Sequence, residues 1–149
     1  MILNKNTAIV LLVLLSLFVN KGFSQEAVDT NFLTGTWIFN YESSKAKVDI
    51  KTKERIDNLK VDDKTKFEEA YKNRKLTFNA DGTFTQQLSN EKSISGTWVL
   101  NNKDVVLTML QGNTKAFKIK KLSATSLVLK HENKGKSKMM LAEWNFTKI

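Results

Sequence analysis

From Arg74 to the C-terminus, apolar and polar residues alternate with a period of two. Successive side chains of a strand point to opposite faces, so each alternating run reads as a half-buried β-strand. The runs are Arg74–Asn79, Thr83–Ser89, Ser93–Leu100, Asp104–Leu110, Thr114–Leu122, Ser126–Glu132 and Ser137–Thr147. Short polar breaks separate them, and Asp81-Gly82 between the first two is a strong hairpin signal. An earlier strand is predicted over Leu33–Tyr41, where Gly35, Trp37, Phe39 and Tyr41 share one face. Between it and Arg74 the pattern breaks down, and Ser43–Asn73 is charge-rich and glycine-free. There Phe67, Ala70 and Tyr71 fall at i, i+3, i+4, and Thr65-Lys-Phe-Glu68 has the form of a capping box. One helix is predicted over Lys64–Lys72, with Asp62 and Asp63 as alternative caps, and a second near Ala46–Leu59, anchored by Ile56 and Leu59. A mainly β chain of eight amphipathic strands in meander order closes most economically into an antiparallel up-and-down barrel, which removes its edges. An open meander or a sandwich is the alternative, and residues 43–73 form a helical insert between strands 1 and 2 in either case.

The first residues belong to a different category. Lys5 precedes a twelve-residue apolar run, Ala8–Val19, and Gly22-Phe23-Ser24 offers small residues at the −3 and −1 positions of a cleavage site. That is the form of a secretory signal peptide over residues 1–24, and the run is short for a membrane span. Cleavage at Ser24-Gln25 leaves a mature domain of residues 25–149, exported to the periplasm or the exterior, with no transmembrane segment remaining. A domain of that length buries about two thirds of its unfolded surface and can build a core without staples.

Composition then narrows the chemistry. The 149 residues include no cysteine, no proline and one histidine, His131. No disulfide, thiolate nucleophile or cysteine-ligated metal is available, and no cysteine exists for lipid attachment, so the chain is not a lipoprotein. A multi-histidine metal site is equally excluded, and no cofactor is expected. No phosphate loop, paired catalytic carboxylates or calcium-binding spacing occurs, so no catalytic residue is assigned and the protein is not read as an enzyme. The formal charge of +9 falls to +7 when Lys5 and Lys21 leave with the signal peptide. The lysines are scattered and only Arg55 and Arg74 are arginines, so a soluble basic surface is the reading and nucleic acid is not an expected partner.

One local repeat, Gly35-Thr-Trp-Ile-Phe-Asn40 and Gly96-Thr-Trp-Val-Leu-Asn101, places a glycine two residues before a tryptophan in two strands. With Gly35-Thr36-Trp37 on the first strand, Asp81–Phe84 as the hairpin, and Gly96–Trp98 on a later strand, the chain resembles the secreted bacterial lipocalin-like domain proteins, a calycin-type barrel family. The resemblance spans about Leu33–Ile149 and marks Gly35, Trp37, Gly96 and Trp98 as structural positions; Trp144, on the inward face of the last strand, is read with them as a structural core residue. The insert also resembles the helical lid of fatty-acid-binding proteins, whose barrels have ten strands. Secreted animal lipocalins usually carry a disulfide and an arginine stacked on the motif tryptophan; here the nearby cation is Lys148.

Alternate loops of a meander lie at one end, so the insert is assigned to the mouth, as a lid. The inward face then sorts by depth. Trp37, Phe84, Trp98, Val105, Leu127, Trp144 and Phe146 are expected at the closed end, and Phe39, Phe78, Gln86, Leu107, Phe117, Ile119, Leu129 and Ala142 midway. Tyr41, Arg74, Leu88, Ile94, Met109, Lys115, His131 and Met140 are expected at the mouth. The candidate ligand-binding residues are therefore Phe39, Tyr41, Arg74, Phe78, Gln86, Leu107, Met109, Lys115, Phe117, Leu129, His131 and Met140. An apolar tail would lie midway, with an anionic head on Arg74, Lys115 and Tyr41. Small eight-stranded barrels hold one small ligand or are packed solid. Two functions follow: carriage of a small hydrophobic or amphipathic molecule, or a filled barrel docking a cell-envelope partner.

Overall fold

The computed structural model describes residues 29–132 and 140–149. The expected signal peptide and residues 133–139 lie outside the described residues. Eight strands follow one another around a closed barrel, each antiparallel to its neighbours: β1 (Gly35–Phe39), β2 (Lys75–Phe78), β3 (Thr83–Gln87), β4 (Ser93–Asn101), β5 (Asp104–Met109), β6 (Thr114–Leu122), β7 (Ser126–His131) and β8 (Glu143–Lys148). Closure is made by β1 on β8, with Trp37 opposite Lys148, Ile38 opposite Thr147 and Phe39 opposite Phe146. The period-two pattern therefore placed the strands, and the closed barrel removes the open meander and the sandwich.

Among the described residues four helices accompany the barrel: α1 (Thr30–Leu33), α2 (Tyr41–Lys45), α3 (Ile50–Asp57) and α4 (Val61–Tyr71). The first strand is shorter than the sequence predicts, and both its flanks are helical. Leu33 closes α1, whose last carbonyl accepts from Trp37 Nε1 at 2.8 Å. At the other end Asn40 leaves the strand and its side chain accepts from Ser43 N at 2.9 Å, capping α2. Tyr41 thus opens a helix, and its expected place as an inward strand residue is corrected. In the insert, Asp49 caps α3 by accepting from Thr52 N at 2.9 Å. The predicted capping box lies inside α4, where Thr65 Oγ1 donates back to Val61 O at 3.0 Å. The helix starts one turn earlier because Asp62 and Asp63 complement the positive end of its dipole.

Ser44 ties α2 to the barrel wall. It is fully buried, donates to Asn40 O at 2.8 Å and accepts from Asn145 N of β8 at 2.9 Å. Ser44→Ala leaves a part-buried backbone N–H without its acceptor, which costs about 1–3 kcal/mol. Denaturant titration should show the midpoint falling with its slope unchanged, whereas an unmoved midpoint would mean that water replaces the hydroxyl.

The inner face is largely as expected, with Trp37, Phe39, Phe78, Phe84, Val105, Leu107, Phe117, Ile119, Leu127, Leu129, Trp144 and Phe146 buried, and Leu76, which the expected inward set did not include, is buried beside them. Two depths change. Leu141, not Ala142, is buried before β8, because the chain enters that strand only at Glu143, after a bend at Met140. Trp144 stands opposite Leu129, nearer the mouth than Phe146, which pairs with Leu127. β8 runs from mouth to closed end, so Trp144 belongs to the upper barrel. At the closed end Lys148 Nζ lies 5.1 Å from the centre of the Trp37 ring and donates to Phe32 O at 3.0 Å. Trp98 is half-buried there, its ring edge-on to Phe78 at 5.4 Å and its Nε1 donating to Asn79 O at 3.1 Å.

Candidate functional site

Arg74 enters the barrel through the connection from α4 to β2. Asn73 adopts a left-handed conformation (φ 60°), one that asparagine tolerates better than most residues, and turns the chain from helix to strand. The Arg74 carbonyl then accepts from Phe39 N at 2.9 Å, extending the β1–β2 ladder by one residue. Its side chain shares the inward parity of Leu76 and Phe78.

The guanidinium is half-buried between two aromatic rings. Its Cζ lies 4.9 Å from the centre of Tyr71 and 5.1 Å from that of Trp144. Nη2 donates to Ala70 O at 2.6 Å. Gln86, buried on the inner face of β3, accepts from Nη1 at 3.1 Å and Nε at 3.3 Å through the amide orientation that satisfies both groups. Among the described residues no carboxylate forms an ion pair with Arg74. Burial lowers its pKa from the ordinary arginine value, with Tyr71 opposing the shift, and the group stays a cation at neutral pH. Its acceptors are thus an amide and a peptide carbonyl, both neutral.

The floor below is aromatic. Phe39 meets Phe146 edge-on at 5.4 Å and Trp144 at 6.0 Å, and Trp144 lies 5.2 Å from Phe117. Tyr71 descends onto this floor from the last turn of α4, 5.8 Å from Phe39 and 6.4 Å from Trp144. Burial raises its phenol pKa, and the neighbouring guanidinium opposes the rise. From Tyr71 the rings continue outward through Phe67 at 5.1 Å to Tyr41, which is 6.4 Å from Phe67.

The sequence-derived candidates separate into four groups. Arg74, Gln86 and Phe39 share the upper barrel. Phe78, Leu107, Phe117 and Leu129 are buried core residues, while Met109, His131 and Met140 are half-buried. His131 stands opposite Phe117, with the rings edge-on at 5.2 Å. Lys115 and Tyr41 do not join Arg74. Lys115 is exposed at the start of β6, which lies four strands from β2 around a ring of eight. Parity gave its face correctly, but a rim position leaves the ammonium in water. Tyr41 is separated from Arg74 by Phe67 and Tyr71, and among the described residues its buried hydroxyl has no hydrogen-bond partner. It borders a groove of about 320 Å3 on the outer wall, beside Ile38, Lys72 and Thr147. Tyr71 and Trp144 are the residues the candidate set missed. The i, i+4 spacing from Phe67 marked Tyr71 as a helix anchor without revealing that its ring reaches the arginine.

A family model described as a lipocalin-like domain matches residues 33–129, which contain both Gly-x-Trp strands, Arg74 and Gln86. Among solved structures, a lipocalin-like protein from Bacteroides uniformis is similar at 17% identity, covering 79% of this chain and 99% of that one, with a TM-score of 0.45. A DUF4847 family protein from Bacteroides vulgatus is similar at 18% identity, covering 81% of this chain and 96% of that one, with a TM-score of 0.49. No curated protein matches the chain significantly.

Proposed function

Since the chain belongs to the lipocalin-like domain family, we propose that it binds one small amphipathic anion at the mouth of its barrel, holding the acidic head on Arg74 and the apolar body against the rings beside it. The observation that carries this reading is a half-buried guanidinium whose acceptors among the described residues are all neutral. A desolvated charge is costly unless it is paired, and a ligand carboxylate supplies the counter-charge in the bidentate geometry a guanidinium favours. The role is binding, not catalysis, and residues 1–24 support placing it in an exported protein.

The ring packing of Phe39, Phe117, Trp144 and Phe146 supports a second reading, in which the filled barrel is a scaffold and the insert docks an envelope partner. Native mass spectrometry of protein taken from its own envelope separates the two, because a carried ligand adds discrete mass. For the site itself, a fluorescent carboxylate probe should bind Arg74→Met roughly ten- to a hundredfold more weakly, as expected for losing a charge-assisted bond of about 1.5–3 kcal/mol. Lys115→Met, on the far rim, should change affinity less than about twofold, the scale of an exposed and screened charge. Equal affinities for Arg74→Met and the parent protein would sink the proposal.

A further inference from the structure

We infer that the last turn of α4 occupies the ligand's place, and that the molecule that displaces it is an aromatic carboxylate; this rests on the reading of Arg74 as the anion site. Two groups of α4 fill the niche. One is an oxygen acceptor, Ala70 O, 2.6 Å from Arg74 Nη2. The other is a six-membered ring, Tyr71, stacked beside the same guanidinium and tilted by 35° on Phe39. An acceptor oxygen next to an aromatic ring is the outline of an aryl acid.

The exchange is favourable group by group. A carboxylate brings full negative charge and two oxygens where the peptide carbonyl brings one neutral oxygen. An incoming ring recovers the contacts with Phe39, Trp144 and the guanidinium that Tyr71 gives up, whereas an alkyl chain forfeits the ring–ring and cation–π parts of them.

The helix is attached in a way that permits its release. None of the 11 residues of α4 is fully buried, Phe67 and Tyr71 being half-buried against the core, and Lys60 at its start makes no side-chain cap. Among the described residues its ties include the Phe67 and Tyr71 rings, the Arg74 bonds from Nη2 to Ala70 O and from its backbone N to Tyr71 O, and a bond from Ser89 Oγ to Glu69 O. Arg74 is therefore both the latch of the helix and the receptor for the anion. A ligand that takes Nη2 removes the cation from the C-terminal end of α4, where it complements the helix dipole. Docking of α4 and binding of the acid exclude each other.

The test titrates 2-naphthoate and octanoate into the full mature chain and two variants. Tyr71→Ala empties the niche, and Tyr71→Leu keeps most of the side-chain volume should the alanine variant fold poorly. Tyr71→Ala should bind 2-naphthoate about tenfold or more tightly than the parent, because the ring that competes for the niche is removed. Tyr71→Leu, which keeps the volume and loses only the ring–ring and cation–π contacts, should also bind it more tightly, by a smaller factor. Either should also prefer it over octanoate by about tenfold, an energy difference on the scale of aromatic and cation–π contacts. In the parent saturated with 2-naphthoate, amides 61–71 should exchange faster while those of β2 and β8 do not. If the variants bind no more tightly than a parent whose binding depends on Arg74, the placeholder is wrong and the anion site stands. Equal affinity for octanoate overturns the aromatic class. Stronger protection of α4 on binding would make the helix a closing lid and overturn the exchange. If neither acid binds any form, the anion site falls as well.

Discussion

In thermal unfolding, Gly96→Ala is expected to melt about 10–15 °C below the parent protein, corresponding to a loss of roughly 3 kcal/mol in a domain of this size. Gly96 lies in β4 between Phe84 of β3 and Met109 of β5. A Cβ there would stand 1.9 Å from Thr108 O, 2.8 Å from Thr108 C and 2.9 Å from Met109 Cα. All three atoms are backbone, so no rotamer change relieves the clash and the β4–β5 ladder must open. Gly112→Ala is the control. Its φ of +85° strains an alanine by about 1–2 kcal/mol, but nothing lies within 4 Å of the added atom. A Gly96→Ala variant melting no lower than the Gly112→Ala variant would show that the strands separate at little cost.

Trp37→Ala should cost more still, about 4 kcal/mol or above, a large part of a typical domain's stability. The side chain is fully buried at the closed end of the barrel. Besides leaving a cavity, its loss frees Leu33 O, which accepts the indole N–H, and so uncouples α1 from β1. Lys148 covers the other face of the ring. Lys148→Met should cost only about 1 kcal/mol, because an exposed cation–π contact is modest and the stem still packs. Urea titrations of both variants test this assignment. Equal losses would mean that the ammonium, not the indole, holds the closed end. Gly35 completes the arrangement: its φ of +126° disfavours any side chain, and the flexible Lys148 stem lies where a Cβ would stand.

The two Gly-x-Trp repeats look alike in sequence but use their glycines differently. Gly35 adopts a positive φ and makes room for a lysine stem; Gly96 lets two backbones approach. The period-two pattern cannot distinguish these uses, because it reports which face a residue occupies and not what lies opposite. The same limit explains Lys115, whose inward parity was legible and whose exposure was not. At Tyr41 the failure is local. The alternation from Gly35 runs on past Phe39, yet Asn40 followed by an acidic residue at 42 is also a helix start, and that cap prevailed because α2 gains its bond to β8 through Ser44. At Ala142 a bend before Glu143 reset the parity, and nothing in the residues around it announced the bend.

By itself the sequence determined a meander of eight strands, the inward face of nearly every strand, the helical insert and the candidacy of Arg74 and Gln86. These follow from short-range geometry: Cβ atoms alternate along a strand, and burial requires the apolar face to point inward. Only the tertiary structure decided that Tyr71, Arg74 and Trp144 stack as one unit and that no carboxylate among the described residues joins them. Trp144 comes from the last strand and Tyr71 from the insert, so their meeting depends on barrel closure, strand stagger and the path of α4 over the mouth. Those are long-range quantities, and no window of neighbouring residues contains them.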